Sequence, residues 1–214
     1  MQKALKIIAS VLVLILILVV LLLPKQIDKK FNTVSQKPPY SISKEGRKLY
    51  DSLEFVADIH CDALLWKRDL LEKNDFGSVD ILRMLATNVG LQAFTIVTKT
   101  PKNMNFDQNT GETDQVTLLT MAQMRPIKSW FNLTERALAQ CKALHNFEEK
   151  SEGKFRVIES KADFEKYLED KRQNKNITAG FLGIEGMHAL EGKPENVDKL
   201  YEAGVRMMSP VYFF

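Results

Sequence analysis

The chain has 214 residues, 45% of them hydrophobic, so it is long enough and apolar enough to bury the core of one sizeable domain. Its net charge of +3 comes from the amino terminus, because residues 1–30 carry five lysines and one aspartate, and 25 basic and 26 acidic residues follow. A nearly neutral body has no concentrated basic face, which argues against nucleic-acid binding, and two cysteines exclude a disulfide framework.

The first segment is an apolar run from Ile7 to Leu23, which as a helix would measure about 26 Å, at the short end of what crosses a bilayer. A cleaved signal peptide is the alternative, but its apolar part is normally about 7–15 residues and ends at small residues. The sequence from Leu21 to Lys25 has no such cleavage site. We therefore predict a retained membrane anchor over residues 1–24, whose flanking lysines leave its orientation open.

Residues 25–43 are polar, lack apolar periodicity and contain Pro38-Pro39, so we predict an exposed tether there. The globular part is predicted over residues 44–214, where apolar strand patterns alternate with helical ones. Main strands are predicted over 55–62, 91–97, 177–184 and 205–214, with a shorter one over 155–159. This alternation is typical of a parallel α/β sheet with crossover helices.

The number of strands bears on the kind of α/β fold. Four main strands are fewer than a complete (β/α)8 barrel contains. The sequence also stops inside the apolar run Val211–Phe214, on a strand edge that native proteins normally protect. We therefore expect a truncated chain.

The first strand ends in an alternating polar pattern, Asp58-Ile59-His60-Cys61-Asp62. On a strand these three polar side chains would share one face, and residues two apart lie roughly 7 Å apart, close enough to bind one cation. A strand that merely runs into a polar loop is the simpler alternative. Cys61 would point to the opposite face, where packing is expected rather than thiolate chemistry.

A second acidic motif, Gly183-Ile-Glu185-Gly-Met-His188, follows the third main strand. In parallel α/β folds the functional side chains stand at the carboxyl ends of strands, so Glu185 is expected beside His60 and Asp62. Gly186 would let the backbone turn sharply after it. The sequence therefore predicts a metal site formed by His60, Asp62 and Glu185.

These two motifs, together with Gly204-Val-Arg206 at the start of the next strand, resemble the membrane dipeptidase (renal dipeptidase) family of zinc peptidases over residues 43–214. The resemblance implies an α/β fold of the (β/α)8 TIM-like type, of which this chain would hold the N-terminal half after a transmembrane helix. It implies two zinc ions, with His60 and Asp62 on the first and Glu185 bridging both. Glu185 is also the expected catalytic residue.

The resemblance further implies dipeptide substrates, hydrolysis by a water held between the metal ions, and a domain outside the cytoplasm. It leaves a homodimer open. Two zinc-binding histidines of the family come from later strands, and a substrate-contacting histidine has no counterpart at Ser209-Pro210. We therefore expect the chain alone to be inactive. His145 is expected on a solvated helix, and His188 in a pocket wall.

Two other functions stay open at this stage. One is a metal-dependent hydrolase of the wider amidohydrolase type, although that class favours a His-x-His pair over His60-Cys61-Asp62. The other is a non-catalytic module tethered to a membrane.

Overall fold

The computed structural model of the chain describes residues 2–173 and 176–214, which form a mixed α/β structure around one parallel sheet. The strands in this part of the chain are β1 (Val56–Asp58), β2 (Val89–Val97), β3 (Phe155–Val157), β4 (Thr178–Glu185) and β5 (Val205–Ser209). The helices are α1 (Gln2–Phe31), α2 (Lys44–Ser52), α3 (Ile81–Ala86), α4 (Val116–Ala122), α5 (Leu133–Lys150), α6 (Lys161–Gln173) and α7 (Asn196–Glu202).

The centre of the sheet is the long pairing of β2 with β4, which runs from Leu91↔Ala179 to Val97↔Glu185. β1 pairs with β2, and β5 pairs with the second half of β4. The short β3 pairs with the first half of β4, so β3 and β5 share one edge of that strand. Because every pair is parallel, the carboxyl ends of β1, β2, β4 and β5 lie along the same border of the sheet.

Helices on one face of the sheet form the main core, whereas α6 packs on the other face in a second, smaller cluster. Phe94 and Ile96 of β2 and Leu182 of β4 are fully buried against the helices, with Leu144 of α5 among their neighbours in the core cluster. Burying each side chain of this size is worth about 1.5–3 kcal/mol. This apolar layer therefore holds the strands in register and gives their carboxyl ends fixed positions.

α5 begins at Leu133, after the N-cap residue Asn132, whose side chain accepts a hydrogen bond from Glu135 N at 2.7 Å. One turn later, the buried guanidinium of Arg136 donates to the backbone oxygen of Thr98, just after β2, and to Asp114. α5 thereby joins the end of β2 to the loop that follows it.

Three strands are shorter than predicted, β3 by two residues and β1 and β5 by more. β1 ends at Asp58 because the Asp58 carboxylate accepts a hydrogen bond from His60 N at 3.1 Å, which turns the chain out of the sheet. β5 ends at Ser209 because Pro210 has no N–H to donate to a strand neighbour. The strand predictions over 59–62 and 210–214 are therefore wrong.

The N-terminal helix also differs from the prediction for residues 25–31. α1 passes through Pro24 and continues to Phe31, instead of giving way to an exposed tether. Asp28 is buried in an ion pair with Arg68, and this contact stabilises the last turns of the helix on the domain. Residues 33–43 form no helix or strand and are mostly exposed.

Candidate metal centre

The three predicted ligands meet at the carboxyl border of the sheet. His60 and Asp62 follow β1, and Glu185 is the last residue of β4. His60 Nε2 lies 2.8 Å from Glu185 Oε1 and 3.4 Å from Asp62 Oδ1. One ligand atom from each residue falls within 4.8 Å of the others, which is a spacing that a single cation can bridge.

Asp58 does not join this cluster, although the alternating pattern placed it on the same face. Its carboxylate is used in the turn that follows β1, where it accepts from the backbone of His60. Asp58 therefore shapes the loop that carries His60 and Asp62.

Thr95 of β2 holds this loop from the neighbouring strand. Its hydroxyl donates to Asp62 Oδ1 at 2.5 Å, and its backbone N–H donates to the carbonyl of Cys61 at 2.9 Å. Thr95 is only 2% exposed, so both bonds are shielded from water. Our sequence analysis did not identify Thr95, although a polar residue inside the apolar run 91–97 was a usable signal.

The Glu185 side chain is 13% exposed, and its two carboxylate oxygens differ in their contacts. Its Oε1 faces His60, whereas its Oε2 is buried and has no hydrogen-bond partner among the described residues. Burial raises the pKa of Glu185, the Asp62 charge raises it further, and His60 opposes both. A buried carboxylate oxygen without a donor is costly, and a bound cation would remove that cost.

Gly186 makes the turn after Glu185. Its φ is +88°, and a Cβ at this position would lie 2.3 Å from Cε1 of His188. Glycine is needed both for the positive φ and for the close approach of this ring, so the turn agrees with the prediction from sequence.

Tyr212 is a second site residue that the sequence analysis missed, because residues 205–214 read as one strand. Its phenol lies near Glu185, close enough for each group to affect the other's titration but outside strict hydrogen-bond geometry. Burial and the negative charge of Glu185 raise the pKa of Tyr212, so the phenol keeps its proton at neutral pH.

The donor set fits a metal ion. One imidazole and two carboxylates suit zinc and several other divalent cations, and Glu185 Oε2 is buried without a donor among the described residues. The arrangement alone does not select among these metals.

The profile of the membrane dipeptidase family, peptidase family M19, matches residues 46–213. The chain belongs to this family. Among curated proteins, no sequence matches the chain significantly.

Solved structures of the family share the fold. The dipeptidase AC, a metallopeptidase of family M19, aligns with a TM-score of 0.52 and 21% identity over 73% of this chain and 42% of its own. A metallopeptidase from Rhodobacter sphaeroides, solved with a phosphinate mimic of the dipeptide L-Ala-D-Ala, aligns at 0.50 and 20% over 73% and 45%. The probable dipeptidase PvdM from Pseudomonas aeruginosa aligns at 0.50 and 14% over 76% and 35%.

At such identities the likeness shows the fold alone, and it agrees with the α/β expectation for the membrane dipeptidase family. The chain spans less than half the length of each of these solved structures.

The other two histidines lie outside the ligand cluster. His188 stacks on Phe214 with ring centroids 5.4 Å apart, and burial lowers its pKa. Its Nε2 is buried without a hydrogen-bond partner among the described residues. His145 is less solvated than expected, because its Nε2 lies 3.4 Å from Glu159 and 3.3 Å from the carbonyl of Ala203.

Cys61 is half-buried and packs against the main core. Burial raises the pKa of its thiol to about 11, so the thiolate is scarce at neutral pH. This agrees with a packing role for Cys61 beside the two ligands.

Proposed function

We propose that this chain contributes to a zinc-dependent peptidase that hydrolyses dipeptides. The observation that carries the proposal is the convergence of His60, Asp62 and Glu185 within 4.8 Å at the carboxyl border of the sheet. This is the border at which parallel α/β enzymes place their active sites. Membership of the membrane dipeptidase family supplies the reaction class.

We further infer that the strand succession β1-β2-β4-β5 is the first part of a (β/α)8 barrel. All of these strands are parallel, and the chain spans 42% and 45% of two related structures. The rest of the barrel would then supply the remaining ligands of a two-zinc site. On this view the described part of the chain binds one zinc weakly and does not turn over substrate.

The roles proposed for the ligands follow from their positions. His60 and Asp62 would hold the first zinc ion, and Glu185 would help to hold both ions. When bound, zinc supplies a Lewis acid that activates water and polarises the scissile carbonyl. In this proposal Glu185 is the residue nearest the chemistry.

The surrounding residues would keep the ligands in place. Thr95 ties one oxygen of Asp62 to β2, so that the carboxylate keeps a single orientation. Tyr212 lies beside Glu185 and would help to keep bulk water from it. No nucleophilic serine or cysteine takes part in this scheme.

We also propose that α1 is a single membrane anchor, with the domain outside the cytoplasm. α1 has 30 residues. Its most apolar stretch of 18 residues has a mean hydropathy of 3.4, and none of that stretch is buried against the rest of the protein. A signal sequence near the amino terminus can have the same length and hydropathy, so cleavage of this segment is the alternative. Detection of residues 2–24 in the mature protein by mass spectrometry separates the two.

Zinc titration tests the site. We expect the 214-residue chain to bind at most one zinc ion, and Glu185→Gln to abolish that binding while the circular dichroism spectrum stays unchanged. Glu165→Gln is the matched control, because Glu165 is an exposed glutamate on α6. Two tightly held zinc ions on the unsubstituted chain, or unchanged binding by Glu185→Gln, would contradict the proposal.

Activity tests the substrate class. A protein that contains this chain together with the missing strands should hydrolyse L-Ala-D-Ala, the dipeptide mimicked in the Rhodobacter sphaeroides structure. In that protein, Glu185→Gln should lower the rate by orders of magnitude. An inactive but zinc-loaded protein would mean that the substrate is not this dipeptide.

A further inference from the structure

The C-terminal end of α1 and the residue after it contact the domain in three places. Arg68 Nε lies 3.1 Å from Asp28 Oδ2, and both side chains are only 6% exposed. The ring of Phe31 stacks on Trp66 at 6.2 Å, and Gly77 N donates to the carbonyl of Asn32 at 2.7 Å. Breaking a buried ion pair leaves an uncompensated charge, so α1 is held in a fixed position relative to the body.

Closer to its amino terminus, α1 packs against α4. Val20, Leu21 and Pro24 of α1 line one cleft of ≈ 350 Å³ together with Ala122 and Met124 of the body. Val20 and Leu21 belong to the apolar run, and Lys25 follows it directly. If the apolar run lies in hydrocarbon and the lysines that follow reach headgroups, Met124 stands at the depth of the boundary between them.

The α4 side of the body exposes large apolar side chains beside this cleft, which is also lined by Lys67, Asp69 and Glu72. Leu118 is 65% exposed, Met124 62% and Ile127 75%, although all three are large hydrophobic side chains. Leu118 stands one helical turn before Ala122, so it faces the same side of α4 as the residue in the cleft. A cluster of exposed apolar side chains beside a membrane-entering helix fits an acyl-chain boundary better than water.

We propose that Leu118, Met124 and Ile127, the juxtamembrane patch, rest in the outer layer of the bilayer that α1 enters. The partner is a lipid surface, and the argument for it is the continuity of the patch with the apolar part of α1. This inference rests on the proposed membrane anchor. Together, the docked helix and the patch would hold the catalytic border of the sheet at a constant height and tilt above the membrane.

Spin-label accessibility tests the patch in the full chain reconstituted into phosphatidylcholine vesicles. Labels are placed at Leu118→Cys and Met124→Cys, with Leu14→Cys on α1 as the hydrocarbon reference. Val197→Cys is the aqueous control, because Val197 is 43% exposed on α7, which packs on α5 and β5. The unsubstituted protein is labelled in parallel to correct for Cys61 and Cys141.

The measured quantity is the ratio of the collision rate with oxygen to the collision rate with a water-soluble nickel chelate. We expect this ratio to be severalfold higher at positions 118 and 124 than at position 197. If positions 118 and 124 give the same ratio as position 197 while position 14 gives that of hydrocarbon, the proposed contact of the patch with lipid is wrong and the proposed anchor is supported. An aqueous value at position 14 would overturn the anchor, and the patch with it. Shielding of 118 and 124 from both reagents would mean that another protein surface covers them, which also overturns the proposal.

Discussion

His60 Nε2 lies 2.8 Å from Glu185 Oε1, so the residues that follow β1 meet the last residue of β4 across the end of β2. Neither residue could reach the other if β2 did not lie between the two strands and hold both of them in parallel register. Thr95, at the end of β2, contacts the same group through Asp62. The site is therefore assembled by three strands, and its geometry depends on how the middle strand positions the two outer ones.

Removing the Thr95 hydroxyl should weaken metal binding without unfolding the protein. Thr95→Val keeps the shape of the side chain but frees Asp62 to rotate, and loss of such a supporting bond typically costs about 10–100-fold in metal affinity. Zinc titration measures the change. Thr95→Ser retains the donor and is the control, so equal affinities for the valine and serine variants would rule out this role.

Gly186→Ala should also weaken zinc binding. An alanine here combines a positive φ with a Cβ 2.3 Å from Cε1 of His188, so the turn after Glu185 has to move. Gly192→Ala is the matched control, because Gly192 has a φ of +71° and nothing within 4 Å of a Cβ. Gly186→Ala should lose more stability than Gly192→Ala in urea unfolding because of the added clash, and only Gly186→Ala should lose zinc affinity. Similar affinity in the two variants would contradict this role of Gly186.

Acid should weaken the fold in part through Asp114. Burial raises the pKa of this carboxyl, but hydrogen bonds from Arg136 and Thr117 and the charge of Arg136 outweigh burial and lower the pKa below 3.8. A depressed pKa in the folded state means that the stabilisation is complete above the unfolded value of 3.8 and is lost as the pH falls through the folded value.

Asp114→Asn should therefore unfold at lower urea concentration than the unsubstituted protein at pH 6, and the difference should shrink as the pH falls below 4. Asp107→Asn is the control, because Asp107 is exposed in the same loop. A difference that stays constant down to pH 2.5 would show that the carboxylate form of Asp114 does not stabilise the fold.

Gly77→Ala should loosen the contact between α1 and the domain. A Cβ at Gly77, where φ is +75°, would lie 1.6 Å from Nη1 of Arg68 and would push the guanidinium away from Asp28. The backbone strain alone costs about 1–3 kcal/mol. Gly153→Ala isolates that strain, because Gly153 has a φ of +78° and nothing within 4 Å of a Cβ.

The measurement is limited proteolysis of residues 33–43 alongside urea unfolding. We expect faster cleavage of this segment in Gly77→Ala than in Gly153→Ala. Equal cleavage rates in the two variants would mean that the Asp28–Arg68 pair does not hold α1 in place.

The sequence by itself determined the strand and helix order, the parallel class of the sheet and the trio His60, Asp62 and Glu185. These features are readable because periodicity is local, and because carboxylates and imidazole at the ends of parallel strands fall on one border. The match to the membrane dipeptidase family agrees with that interpretation.

Only the tertiary structure decided which neighbours support the ligands and where α1 ends. Thr95 and Tyr212 contact residues that are distant along the chain. The residues next to them in the sequence therefore do not show that they support the ligands. The helix continues past the apolar run because Asp28 finds a buried partner in Arg68. A charge that is expected at the surface from the sequence is buried here, because folding brings its counter-charge beside it.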